Sequence, residues 1–423
     1  MEKSFVLRGD VIAPLKEGRI TYLPAGFVVV LDGKIDGVYS SLPEKARLLP
    51  LEDEGRKLLF PAFYDLHAHA SQYAYHGLGE DCELLQWLNL HAFPEEARFA
   101  SLAYAEKAYS RFVHDLLYSF TARASLFATR HPQATLLLMR KLEEAGLPCY
   151  VGLVSMDRNA PDNLREKDSE EGRRDLEEFL KGSRALSLEK PILTPRFAPS
   201  CDEALLSVLG EYARKDHLPV QSHLDENPSE IAWVRELFPE RKSYSDVYDH
   251  YGLFGSSGPC LMAHCIYNTP EEIALLKKNG VMVVHCPESN LNVMSGMAPV
   301  RKYLDEGISV ALGTDVSGGS TLSLRIAAEQ AIQVSKMYCR YLDSKARPLT
   351  SEEAFLLLTE KGGSFFGKAG CFEKGYEADL LVYDDSDVSD LSRDSLKDRL
   401  ERFLYLGETS RIVHKFVGGR QLF

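Results

Sequence analysis

Leu58-Leu59-Phe60-Pro61-Ala62-Phe63-Tyr64-Asp65-Leu66-His67-Ala68-His69 is an apolar run that ends in a His-x-His pair. Read as a strand spanning Leu58–His67, it puts residues i and i+2 on one face, so His67 and His69 point the same way from the C-terminal end. Alone the pair says little, because a lone His-x-His is most often an ordinary surface or core feature. The segments C-terminal to it decide the fold. Seven more short apolar runs read as strands: Phe120–Phe127, Cys149–Met156, Pro191–Phe197, Pro219–Leu224, Cys260–Cys265, Val281–Cys286 and Ile308–Thr314. Amphipathic stretches of helical period lie between them, among them Leu136–Ala145, Asp202–Lys215, Pro270–Asn279 and Pro299–Glu306. Strands alternating with helices eight times predict a parallel (β/α)8 TIM-like barrel. An open doubly wound sheet is the alternative, but the glycine-rich phosphate loop it usually carries is missing.

Outside this region the texture changes. Ser4–Leu7, Val11–Ala13, Gly26–Leu31 and Lys34–Tyr39 are β-rich, with Asp32-Gly33 as a hairpin turn. After Gly370, Asp379–Tyr383 and Val413–Val417 read as strands, with Gly418-Gly419 as a turn. We expect a barrel over residues 58–370. Residues 1–57 and 371–423 would together form a small β-sandwich domain built from both chain termini. A chain of 423 residues suits one barrel of about 250 residues plus a companion domain.

Composition narrows the function classes. The formal net charge is −13, with no basic stripe, which disfavours a nucleic-acid partner; solubility is the plain reading of the acidity. The eight cysteines lie singly, without a Cys-x-x-Cys pair, as suits reduced core thiols. Arg8 and Asp10 stand where a signal peptide needs an apolar core, and no apolar stretch is long enough to span a membrane. The expectation is a cytoplasmic protein without a membrane partner.

His67 and His69 have company. His223 closes the fifth predicted strand, His264 the sixth, and Asp315 the eighth. Barrel enzymes keep their chemistry at C-terminal strand ends. Any one of these residues alone is adequately explained as a hydrogen-bonded structural group, but all of them on one rim point to a metal centre. Imidazoles and a carboxylate suit a borderline-soft divalent cation, with zinc first and iron or manganese behind. Such an ion lowers the pKa of water from 15.7 to about 7. Asp315 can touch the metal and take the water's proton. His264 can bind metal or hydrogen-bond the attacking oxygen. Glu226, three residues after His223, can carry protons to a substrate and a leaving group, or simply face solvent at a helix start. A lysine suited to a bridging carbamate is not found, which favours one metal over two. The His-x-Glu and Pro-Cys-x-x-Cys pair of another zinc deaminase class is absent.

Several segments carry a likeness to a known family. They are Asp65-Leu66-His67-Ala68-His69-Ala70-Ser71-Gln72-Tyr73, Leu84-Leu85-Gln86-Trp87-Leu88 with Phe93-Pro94-Glu95, Met156-Asp157-Arg158-Asn159-Ala160-Pro161 and Thr194-Pro195-Arg196-Phe197-Ala198-Pro199. Ser222-His223-Leu224-Asp225-Glu226-Asn227, His285-Cys286-Pro287-Glu288-Ser289-Asn290-Leu291, Gly313-Thr314-Asp315 and the tail from Phe403 to Arg420 continue it. Over almost the full chain this resembles the amidohydrolase superfamily and, within it, the guanine deaminases. The resemblance implies hydrolysis of guanine to xanthine and ammonia. It implies one zinc per subunit on His67, His69, His223 and Asp315, with iron possible as a substitute. It implies catalysis by Glu226, His264 and Asp315. It implies guanine contacts by the segment His69, Ala70, Ser71 and Gln72, by Arg196 and Phe197, and by His223, Glu226 and Asp315, with Leu84 and Trp87 at the pocket wall. It also implies a homodimer. Read without it, Arg196 is as well explained by a salt bridge on the rim, Gln72 by a loop-stabilising amide and Trp87 by the core. Ala62 and Leu66 depart from the family's glycine and threonine, and Tyr118-Ser119-Phe120-Thr121 from its glycine-threonine turn. The rival readings are a related deaminase or chlorohydrolase acting on cytosine, a triazine or a pterin, and a non-catalytic scaffold.

Overall fold

The computed structural model describes residues 4–389 and 395–423. Eight parallel strand positions follow one another around a barrel. They are Phe63–His69, Thr121–Phe127, Tyr150–Gly152 with Val154–Ser155, Lys190–Pro191 with Thr194–Pro195, Val220–Leu224, Cys260–His264, Met282–His285 and Val310–Leu312. The first four pair in sequence, as do the last four. A bridge between Leu193 and Val220 joins the two halves. Asp315 N donates to His67 O at 2.7 Å and His69 N to Val316 O at 2.9 Å, which closes the eighth position onto the first. The fourth strand is interrupted because Pro191 and Pro195 have no N–H to give the ladder.

Local chemistry sets the helix ends. Ser101, Asp168, Asp202 and Ser243 accept from backbone N–H groups at the starts of their helices, and Thr269 completes a capping box ahead of Pro270–Asn279. The helix predicted from Leu136 begins earlier, at Pro132, where a proline costs nothing at the first helical position.

The two chain ends build one seven-stranded mixed sheet. Its order is Arg420–Gln421, Ile412–Val417, Leu380–Tyr383, Leu51–Pro61, Phe5–Leu15, Arg19–Leu31 and Lys34–Tyr39. Its own core includes Phe5, Leu7, Val28, Val30, Leu380, Val382 and Phe416. Asp32 and Gly33 both have positive φ, 50° and 78°, as a two-residue turn of this hand requires, and Leu31 pairs with Lys34 across it. The run read as one strand, Leu58–His67, is two. Leu51–Pro61 belongs to the terminal sheet, pairing Leu59 with Val382, and Phe63–His69 belongs to the barrel. Ala62, the one residue between the two strands, divides them, so residues 58–61 sit in the sheet.

Buried charge joins sheet to barrel. Asp379, 1% exposed, accepts from Arg123 Nε at 2.7 Å, Arg123 Nη2 at 3.1 Å, Tyr64 Oη at 3.0 Å and Gly418 N at 2.8 Å. Tyr64 and Arg123 come from the first two barrel strands. Lys415 Nζ donates to the carbonyls of Leu116, Leu117 and Ser119 at 3.2, 2.8 and 3.2 Å, capping the C-terminal end of helix Leu102–Leu117. Arg123→Ala leaves the Asp379 carboxylate buried without its partner, and breaking such a pair costs about 3–5 kcal/mol. Urea unfolding of the variant should show that loss; an unchanged midpoint would mean that the junction adds nothing to stability.

Candidate active site

Backbone and side-chain bonds behind the barrel mouth aim several of its groups. Asp65 accepts from Thr314 N at 3.0 Å, Thr314 Oγ1 at 2.6 Å and His67 N at 3.3 Å, so the first strand and the Thr314-Asp315 end are held in register. Asp315 and His264 take positive φ, 49° and 71°, which tips their side chains over the mouth at a cost of order 1 kcal/mol or more each. His223 Nδ1–H donates to Arg196 O at 2.6 Å and His264 Nδ1–H to Asn290 Oδ1 at 2.8 Å. In a neutral ring this leaves Nε2 of each as a lone pair. The Phe127 ring backs His67, His69 and His223, with centroids 4.8, 4.6 and 5.0 Å away.

The donor atoms converge. His67 Nε2 and His69 Nε2 lie 3.0 and 3.3 Å from Asp315 Oδ1, and His69 Nε2 lies 3.3 Å from His223 Nε2. Ligands about 2.0–2.1 Å from a tetrahedral ion stand about 3.3 Å apart, so these three separations are those of neighbouring ligands on one ion. His67 Nε2 and His264 Nε2 are buried without a hydrogen-bond partner. Burial holds the His69 imidazole down to about 4 and His223 well below its ordinary value, so both rings are neutral ligands. Burial raises the Asp315 carboxyl, but positive charge and hydrogen bonds from His67 and His69 hold it well below its ordinary value; where those rings are neutral ligands, a cation must supply that positive charge. Three nitrogens and one carboxylate oxygen with no better partner fit a divalent cation. His264 also groups with His67 and His223, and Cys286 with His264 and Asp315. Burial keeps the Cys286 thiol protonated, which makes it the poorer ligand.

The adjoining cavity, counted together with the open space at its mouth, amounts to about 450 Å³. His69, Gln72, Leu84, Trp87, Arg196, Phe197, His223, Glu226, His264 and Asp315 line it, all of them singled out from sequence. Ala70 and Ser71 are buried in the turn after the first strand and do not line it. Glu226 is 4% exposed rather than facing solvent. Its Oε1 accepts from Ser295 Oγ at 2.9 Å, and its Oε2 lies 3.5 Å from His264 Nε2. Burial, and after it the Asp315 charge, push this carboxyl up to about 8.

Sequence reasoning missed Leu88, Glu230, Ser289 and Val293 on the wall, and Glu96, Asn290 and Ser295 behind it. Asn290, Ser289 and Glu96 sit in or beside quoted motifs, but nothing in their spacing told inward from outward. Arg196 combines both of its sequence readings, since it lines the cavity and also forms a buried ion pair with Glu96.

Residues 58–422 match the amidohydrolase family model. The guanine deaminase of Dictyostelium discoideum is 33% identical, over 99% of this chain and 98% of that one. That of Escherichia coli K12 is 32% identical, over 96% of this chain and 92% of its own length. A solved guanine deaminase from C. acetobutylicum, with guanine bound in its active site, superposes with a TM-score of 0.96 at 46% identity, covering 99% of this chain and 100% of that one.

Gly313 approaches the ligand strand closely: a Cβ there would lie 2.7 Å from His67 Cβ and 3.0 Å from His67 O. Gly313→Ala should therefore lose bound metal during dialysis against a chelator faster than the unaltered protein while keeping its circular dichroism. Equal retention would mean His67 has room to shift.

Proposed function

This chain belongs to the amidohydrolase family, among its guanine deaminases, and we propose how its own residues carry out the hydrolysis of guanine to xanthine and ammonia. The observation that supports the reading is the run of short separations that joins His67 and His69 to Asp315 and His69 to His223, beside a cavity that also exposes Arg196, Gln72 and Glu226. We propose zinc as the ion, ahead of iron, because one carboxylate and three imidazoles at tetrahedral spacing suit it. When bound, the ion supplies hydrolytic power by acidifying water at neutral pH.

The net reaction adds water at C2 of guanine and breaks the bond from C2 to the exocyclic nitrogen. The oxygen stays on the ring, and the amine leaves as ammonia. Glu226 Oε2 is the proton carrier. Ser295 occupies the other oxygen, so Oε2 faces the reacting centre. It protonates the ring nitrogen beside C2 and then the departing amine, taking in turn the proton that the attacking water gives up. His264, with its Nδ1 hydrogen committed to Asn290, offers Nε2 as an acceptor that orients that water. Arg196 presents donors to the carbonyl edge of the base, Gln72 a mixed donor and acceptor, and Phe197 a ring edge or face. Leu84 and Trp87 close the apolar wall and exclude bulk water.

The eight free cysteines, seven of them buried, suit the reducing cytoplasm that we propose as the location.

Following the loss of guanine absorbance and the release of ammonia with metal-analysed protein tests the reading directly. Glu226→Gln should keep its metal and lose about 10²–10⁴-fold in kcat. Undiminished turnover would place the proton carrier elsewhere. Arg196→Ala should raise KM for guanine more than it lowers kcat, and an unchanged kcat/KM would remove it from recognition.

A further inference from the structure

One carboxylate outside the motif residues holds both polar groups assigned to base recognition. Glu96 is 1% exposed and stands behind the cavity wall. Its Oε1 accepts from Gln72 Nε2 at 2.8 Å, and its Oε2 is paired with Arg196 Nη1. Gln72 Oε1 in turn accepts from Ser317 N at 3.4 Å. The Arg196 guanidinium also packs 5.1 Å from the centroid of Phe93. These contacts impose two constraints. The Gln72 amide cannot turn over, since its oxygen would then face a carboxylate. The Arg196 side chain, 3% exposed, is not an isolated buried cation, because its charge is cancelled by Glu96.

Cancellation matters for the ligands of this reaction. Guanine is neutral at physiological pH. Xanthine, a dioxopurine, gives up a ring proton near neutrality. A buried, uncompensated guanidinium would attract that anion and retain the product. We propose that Glu96 is a specificity-determining residue that neutralises Arg196, so that the pocket prefers the neutral base and releases the acidic product. This role rests on the assignment of the cavity to guanine. It works by a difference in affinity, penalising one ligand rather than adding contacts to the other.

The test is inhibition by xanthine, measured below and above xanthine's own ionisation, in the unaltered enzyme, Glu96→Gln and Arg196→Gln. His69, His223, Glu226, Glu230, His264 and Asp315 also line the cavity and are present in all three proteins, so the three are compared with one another at each pH. In Glu96→Gln the xanthine Ki should fall at least about tenfold at the higher pH and change little at the lower. In Arg196→Gln, which leaves Glu96 unbalanced, it should rise at the higher pH by more than KM for guanine does. A ratio of xanthine Ki to guanine KM in Glu96→Gln equal to that of the unaltered enzyme overturns the proposal. Should Glu96→Gln not fold, Arg196→Gln decides: a Ki that rises no more than KM overturns it. Failure of the unaltered enzyme to release ammonia from guanine would instead defeat the assignment of the cavity itself.

Discussion

The site depends on three neutral imidazoles and one ionised carboxylate directed at a common point. Like groups at this range gain nothing from one another in an apolar interior. Unpaired lone pairs and a buried charge are costly unless something positive sits between them. The arrangement persists because the surrounding bonds are made to the backbone of the same residues. Asp315 N reaches His67 O where the barrel closes, Asp65 holds Thr314, and Arg196 O fixes the His223 tautomer. Closing the barrel and aiming the ligands are thus one event.

A second level of organisation concerns charge. The ion site supplies positive charge where water must be activated. On the recognition side Glu96 pairs Arg196, the one arginine or lysine among the described residues that line the cavity. Glu226 sits between the two, shielded from solvent and held by Ser295. Among the described residues, none of the terminal sheet lines this cavity. It fastens the lower part of the first two strands through Asp379 and Arg123, and so steadies the strand that carries His67 and His69.

Much of this was legible in the sequence, for a physical reason. A metal ligand at a barrel strand end carries its own address: the apolar run locates the strand, strand parity puts His67 and His69 on one face, and the strand's end locates the rim. His223, His264 and Asp315 obey the same rule. The break at Pro61–Ala62 was harder to see, because both halves are apolar and the chain runs straight from the sheet into the barrel. Glu96 was hidden for a different reason. It lies on an irregular helical stretch beside Glu95, and only the twist of that stretch sends Glu95 to Arg98 and Tyr104 but Glu96 to Arg196, 100 residues away. Ser295, 69 residues from Glu226, belongs to a loop with no periodicity to read. The departures at Ala62 and Leu66 are absorbed as fully buried side chains.

X-ray absorption at the metal edge of the purified protein tests the central claim most directly. One ion per chain, with a first shell of nitrogen and oxygen only at about 2.0–2.1 Å, is the predicted result. A sulfur shell near 2.3 Å, which would bring Cys286 into coordination, or a second metal scatterer, would contradict it.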